Sequence, residues 1–177
     1  MIKFLTNKTL ADSINPILRI ECQAVPEAEF AECKAVGEMM LEVMYSRRGV
    51  GLAGPQIGIP FRIFVMNATK PLIVINPEIL EYSERKTIYG EGCLSLPGLH
   101  VAVERPKSVK IKFWEPGGKE IKCLFDGWSA RVFQHEFDHL RGVLITDYKD
   151  AASASSTTPE SGQYSTVPQI QSTEKPS

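Results

Sequence analysis

The segment Gly127-Trp128-Ser129-Ala130-Arg131-Val132-Phe133-Gln134-His135-Glu136-Phe137-Asp138-His139-Leu140-Arg141-Gly142 marks the point where the chain changes period. Val132, His135, Glu136 and His139 recur at helical spacing, and Gly142 ends the pattern. Upstream the texture is β: residues 61–66, 72–76, 88–96, 99–104, 108–114 and 120–124 are short runs bounded by turn residues. Glu115-Pro116-Gly117-Gly118 reads as a turn joining the last two into a hairpin. Nearer the N-terminus, Phe30, Cys33, Val36, Met40, Val43 and Met44 fall three or four residues apart on one helical face. Arg47 and Arg48 suit the last turn of that helix, with Gly49 as its terminator. Asn15-Pro16-Ile17 reads as a turn into a short structured arm. The expected fold class is α+β: a first helix, mostly antiparallel strands, and a second helix packed among them.

Composition sets the outer limits. Residues 1–150 hold 19 basic and 19 acidic side chains, so no electrostatic footprint for duplex nucleic acid or an anionic membrane is expected. That length is one typical domain. Residues 151–177 differ: eleven of the 27 are Ser or Thr, and Tyr164, Val167 and Ile170 are the only bulky apolar side chains. This composition reads as a disordered tail. The longest aliphatic run, Leu72 to Ile75, is four residues, far short of the ~20 that a spanning helix needs. No secretory signal is recognisable, and Cys22, Cys33, Cys93 and Cys123 form no C-x-x-C pair, so the expected location is the cytoplasm.

His135, Glu136 and His139 form H-E-x-x-H. Residues i and i+4 share a helix face, so both imidazoles can reach one metal ion, and the intervening Glu can act as general base. A catalytic site of this type uses three protein ligands. The Glu residues after the helix, Glu160 and Glu174, lie in the tail, and no third His follows closely. Asp147 is one candidate; Cys93, in the glycine-flanked Glu91-Gly92-Cys93-Leu94-Ser95, is the better one. Cys22, Cys33 and Cys123 sit in apolar patterns and read as buried small side chains. Gly49-Val50-Gly51-Leu52-Ala53-Gly54 fits G-x-G-x-x-G literally. A dinucleotide site needs a strand before it and a helix after it; here the order is reversed. Gln56 can offer an amide N–H to a developing oxyanion.

Three segments together, Gly49 to Gln56, Glu91 to Ser95 and Gln134 to Leu140, resemble peptide deformylase in residues, order and spacing, and the similarity runs over residues 15–147. The resemblance implies hydrolysis of the N-formyl group from the initiator Met of nascent polypeptides, with release of formate. It implies that Cys93, His135 and His139 hold one divalent metal ion, Fe(II) in the first place, with Zn, Ni or Co also seen. Glu136 would take a proton from bound water and deliver it to the leaving amine. The Leu94 N–H and the Gln56 side chain would stabilise the oxyanion, and Gly51 would bond an extended substrate. Val50, Trp128, Val132 and His135 would line a pocket for the Met side chain, and Glu91 and Arg105 would pair to brace the metal segment.

Departures from the family pattern bear on these roles. Gly54 replaces the usual Ala and is expected to loosen its loop. His100 stands where many relatives have Arg, and reads as an ordinary loop histidine. Arg131 stands where many bacterial members have an aliphatic residue, although other branches of the family carry Arg, and is expected to line the pocket entrance or extend to solvent. The Ser/Thr-rich residues after 150 stand where typical bacterial members have a basic helix that engages the ribosome. Weakened docking near the ribosome exit is therefore expected, as in short forms encoded by some bacteriophages, which would act in the host cytoplasm. The competing readings are a small zincin-type peptidase, which would cleave internal bonds without needing Cys93, and a non-catalytic binder of nascent chains.

Overall fold

The structure is a computed structural model and describes residues 10–148. The expected tail, residues 151–177, lies outside the described residues.

Two helices flank a sheet, and the strand between them shows why. β2 (Ile63–Asn67) alternates its burial partners: Ile63 and Val65 pack with α1 (Cys33–Ser46), whereas Phe64 and Met66 pack with α2 (Gly127–His139). A strand covered on both faces is a continuous apolar run, which is the reason no period-2 signal is visible there. β1 (Gly51–Ala53) and β3 (Pro71–Tyr82) pair with β2 on either side, antiparallel. The chain then leaves this sheet to form a separate hairpin, β4 (Lys86–Cys93) with β5 (Leu96–Pro106). It returns as β6 (Ser108–Trp114) beside β3 and turns into β7 (Glu120–Asp126) at the edge. The expected β6–β7 turn is present, with Gly118 at φ 77°.

α2 sits at the centre because of its aromatic contacts. Phe133 is fully buried and meets Phe64 edge-on at 5.2 Å and Phe125 at 5.8 Å between ring centroids. Val109, Ile111 and Phe113 of β6 complete that layer, while Lys110 stays exposed between them. α1 packs Met40, Val43 and Met44 against the opposite face. A third cluster, built on Leu18, Val101, Val103 and Ile145, fills the space beneath the β4–β5 hairpin.

Several local expectations change. β1 and the 3-10 turn Gly54–Ile57 occupy what reads as a loop in sequence. β3 runs past Pro77 to Tyr82 because a register shift between Ile75 and Glu78 takes the proline out of the ladder. Asn76 holds that irregularity at φ 46°, its side chain bonding both the N–H and the carbonyl of Val25 at 2.8 Å. The left-handed residue after α1 is Arg48, at φ 57°, rather than Gly49, whose N–H instead closes on the Met44 carbonyl at 2.9 Å. Gly54 does not loosen its loop. It is buried, and a Cβ there would lie 2.8 Å from the Ile59 carbonyl oxygen, so the glycine permits a close backbone crossing.

Phe133→Ala is expected to cost about 3–5 kcal/mol in denaturant unfolding, the range for removing a fully buried aromatic. Leu124→Ala, at a side chain 59% exposed on β7, is expected to stay within about 0.5 kcal/mol.

Candidate metal centre and active site

Three elements converge on one point. The β4–β5 hairpin brings Cys93 to its tip, α2 presents His135 and His139 one turn apart, and β1 runs along the near side of that helix. The ligand atoms of Cys93, His135 and His139 all lie within 4.8 Å of one another, the sole such His/Cys/Asp/Glu group among the described residues. The Cys93 Sγ is 3.3 Å from His139 Nε2, and the two imidazole rings are 5.0 Å apart at 75°. Two imidazoles and one thiol around a common point are a donor set for a divalent transition metal, and they fit such an ion. His139 Nδ1 is buried with no hydrogen-bond partner in the structure. Asp147 is not in this group. Its carboxylate accepts from Arg19 at 2.6 and 3.0 Å and from the Leu144 N–H at 3.0 Å.

Glu136, next to His135 on the helix, lines the same cavity as Cys93 and His135. It is 3% exposed and its Oε2 has no hydrogen-bond partner. Burial pushes its carboxyl up to about 7, against the opposing pull of His135. Gly51 makes this placement possible, because a Cβ there would collide with the Glu136 carboxylate. Burial, the His135 charge and Arg105 hold the His139 imidazole well below its ordinary range.

Behind the ligands lies a buried ionic network. Burial alone would raise the Glu91 carboxyl, but bonds from His135 and Arg105 hold it at about 2, against an ordinary 4.5. Its contribution to stability is therefore present above the ordinary carboxylate range and is lost as pH falls toward 2. Arg105 donates to both oxygens of Glu91, at 2.7 and 2.9 Å, so the pair read in sequence is in contact. His135 Nδ1 meets Glu91 Oε2 at 3.0 Å, which leaves Nε2 to face the common point. Burial lowers the basicity of His135, but the Cys93 thiol and the Glu91 carboxylate outweigh it and bring it to about 10.

Sequence reasoning missed three partners. Asp138 accepts from Arg105 Nη1 at 2.7 Å, and Tyr148 donates to the same Asp138 oxygen at 2.8 Å. Arg131 borders the cavity and does not extend to solvent. It is 4% exposed and donates to Glu91 Oε1 at 2.6 Å. Nothing in the sequence separates these side chains from solvated helix charges; only the packing of α2 against the hairpin does.

Gln56 is buried at the end of its 3-10 turn. Its Oε1 accepts from the Ala53 N–H at 2.8 Å, and its Nε2 reaches Cys93 Sγ at 3.6 Å and Ser95 Oγ at 3.3 Å. Leu94 follows Cys93 at the hairpin tip. A cavity of about 320 Å³ opens in front of these groups and brings together Val50, Gly51, Gln56, Trp128, Val132 and Glu136. His100 is exposed on β5, opposite Gly92, and lines that cavity; Arg48, which the sequence reading assigned only to a helix end, lines it too.

The remaining cysteines stand apart. Burial pushes the Cys22 thiol up to about 12 and Cys33 up to about 11. Cys123 is half-buried on β7 rather than fully buried, and its thiol is raised to about 11. In metal-free protein at neutral pH, iodoacetamide is expected to modify Cys93 before Cys22 and Cys33, and added Zn(II) is expected to protect Cys93 alone. Peptide mapping reads both outcomes.

Comparison with known proteins agrees with this geometry. Residues 8–155 match the family model for polypeptide deformylase. The peptide deformylase of Thermotoga maritima is 48% identical over 135 residues, covering 75% of this chain and 81% of the relative. That of Rhizobium meliloti is 39% identical over 150 residues, covering 81% and 86%. The crystal structure of the Thermotoga maritima peptide deformylase superposes with a TM-score of 0.75 at 45% identity, over 78% of this chain and 94% of that one. A Met-Ala-Ser-bound class I type b peptide deformylase from Acinetobacter baumannii also superposes with a TM-score of 0.75, at 32% identity, over 78% and 95%. With an identity of this level over most of its length and a matching fold, the chain belongs to the polypeptide deformylase family.

Proposed function

We propose that the protein is a metal-dependent hydrolase that removes the N-formyl group from the initiator methionine of nascent polypeptides, with residues 1–150 as its catalytic domain. The observation that carries the reading is the buried Glu136 carboxylate, with one unpartnered oxygen, on the same cavity as Cys93 and His135 of the Cys93, His135 and His139 group. The three would hold one divalent ion; for Fe(II), or Zn, Ni or Co, mixed thiolate–imidazole ligation is suitable. When bound, such an ion supplies Lewis acidity, polarising a carbonyl and acidifying water.

The chain's own residues account for the remaining chemistry. β1 pairs with β2 on one side only and is the terminal strand of its sheet, so its other edge, which includes Gly51, is assigned to an extended peptide that adds as a strand. Val50, Trp128 and Val132 give the cavity an apolar wall for the Met side chain. Water oxygen adds to the formyl carbon as its proton passes to Glu136. The carbon–nitrogen bond then breaks, the proton returns to the departing amine, and formate leaves. The Gln56 amide and the Leu94 N–H are assigned to the charge that develops on the formyl oxygen. For Gln56 this requires its Nε2 to turn from Cys93 and Ser95 toward the substrate.

No helix of the described residues is long and apolar enough to cross a membrane. A cytoplasmic site of action follows from the substrate, which exists where chains are made. Docking near the ribosome exit is proposed to be weaker than in members with a basic C-terminal helix, because residues 151–177 carry one Lys and no Arg. The involvement of Cys93 in the ligand group favours this reading over a zincin-type peptidase.

Protein purified anaerobically with Fe(II) is expected to release formate from formyl-Met-Ala-Ser and to leave internal peptide bonds intact. Glu136→Gln is expected to lower kcat by about 10²–10⁴, the share usual for a positioned acid–base group. Gln56→Ala is expected to lower it by about 10²–10³. A formate assay on the three proteins checks the set, and turnover by Glu136→Gln at the wild-type rate would refute the assignment. Chelation should abolish activity, and readdition of metal should restore it.

A further inference from the structure

The cluster of charge behind the ligands is larger than the ligand set requires. Glu91 accepts four contacts: Arg105 Nε and Arg131 Nη1 on Oε1, and Arg105 Nη2 and His135 Nδ1 on Oε2. With Asp138 on Arg105 Nη1, two carboxylates and two guanidinium groups form a charge-balanced, nearly dry set. Arg105 by itself already grips Glu91 through a two-point fork, so a second arginine is not needed to satisfy that carboxylate.

What Arg131 adds is a connection. It stands on α2 one turn before His135, so its backbone is rigidly tied to that ligand. From there its guanidinium reaches both strands of the hairpin that ends in Cys93. Nη1 donates to the Val103 carbonyl of β5 at 3.0 Å, and Nη2 donates to the Thr87 carbonyl of β4 at 2.7 Å and to Thr87 Oγ1 at 3.2 Å. Its guanidinium carbon also lies 4.9 Å from the Tyr89 ring centroid. The hairpin is otherwise a separate two-stranded sheet with no strand partner in the main one. Two-stranded ribbons are marginal by themselves and need packing to be held.

We propose that Arg131 is a positioning residue that fixes the distance between Cys93 and the two histidines, by stapling the β4–β5 hairpin to α2 and by holding the Glu91 carboxylate that orients His135. Its role is exerted on the metal-holding geometry and rests on the reading of Cys93, His135 and His139 as ligands. Removing it takes a second donor from two ladder carbonyls and one donor from Glu91, and it removes the one side chain of α2 that bonds both hairpin strands, leaving the ties of Asp138 to Arg105 and of Gln134 to the Pro106 carbonyl.

The test uses the full chain loaded with Co(II) or Ni(II), as wild type, Arg131→Leu and Arg131→Lys. Lys86→Ala serves as a control that breaks an exposed ion pair across the same hairpin. Metal loss to a chromogenic chelator is expected to be about 10- to 100-fold faster in Arg131→Leu, the range for losing an outer partner of a ligand. The thiolate-to-Co(II) absorption band should move, because the sulfur–metal distance changes. Arg131→Lys, which can keep a charge beside Glu91 but not the fork to both strands, should fall between, and Lys86→Ala should match wild type. If Arg131→Leu does not fold, the band and the release rate of Arg131→Lys decide. A fall in melting temperature with wild-type metal release and an unmoved band would reduce Arg131 to a structural residue and overturn the proposal. A wild type that retains no divalent ion would instead overturn the ligand reading and this inference with it, whatever the formate assay shows.

Discussion

A single carboxylate, that of Glu91, ties the parts of this molecule that have to meet. It is buried on β4, and the groups that neutralise or orient it come from two elements: Arg105 from β5 of the same hairpin, and Arg131 and His135 from α2. Burying a charge costs several kcal/mol unless it is fully paired, and buried ion pairs are weak evidence for net stability. The gain here lies in geometry. Drift of the hairpin from α2 would leave Glu91 with Arg105 alone, without Arg131 and His135, so it is disfavoured, and the arrangement that keeps all of these contacts is also the one that brings Cys93 to within 3.3 Å of His139.

The second constraint is steric. Glu136 reaches the ligand group because β1 passes close enough to α2 for a Cβ on Gly51 to collide with it. The adjoining turn repeats the device at Gly54, where backbone carbonyls of Ile59 and Phe61 crowd the position. Gly51 and Gln56, at either end of this short segment, both line the cavity. The proposed substrate edge, acid–base group and ligand set would thus come from elements that are distant in sequence. Their mutual placement depends on the aromatic packing of Phe133 between Phe64 and Phe125.

Much of this was legible beforehand, for identifiable reasons. The helical period around His135 and His139 is local, and so is the turn chemistry of Glu115 to Gly118; both were read at the right place. Cys93 as a candidate third ligand rests on elimination and resemblance, since spacing along the chain says nothing about a residue 42 positions upstream of His135, and the structure brings it into one group with the two histidines. The strand in residues 61–66 was recognised but its two-sided burial was not. β1 was missed because three residues between a helix end and a 3-10 turn carry no period. The left-handed residue after α1 was misplaced by one, since Arg48 adopts a conformation that composition assigns to the neighbouring glycine.

The α+β class, the pair of helical histidines with their glutamate, and the three segments that carry the family likeness can be read along the chain. These are short-range properties: a residue's neighbours at i+3 and i+4, or the contents of an eight-residue stretch, fix them. That Arg131 points inward to Glu91, that Asp138 and Tyr148 extend the network, that Gly54 admits a crossing backbone, and that Arg48 and His100 border the cavity emerges from long-range packing. A charged side chain on a helix is solvated or paired according to what packs against that face. What packs against α2 is a hairpin whose position depends on contacts summed over the whole fold.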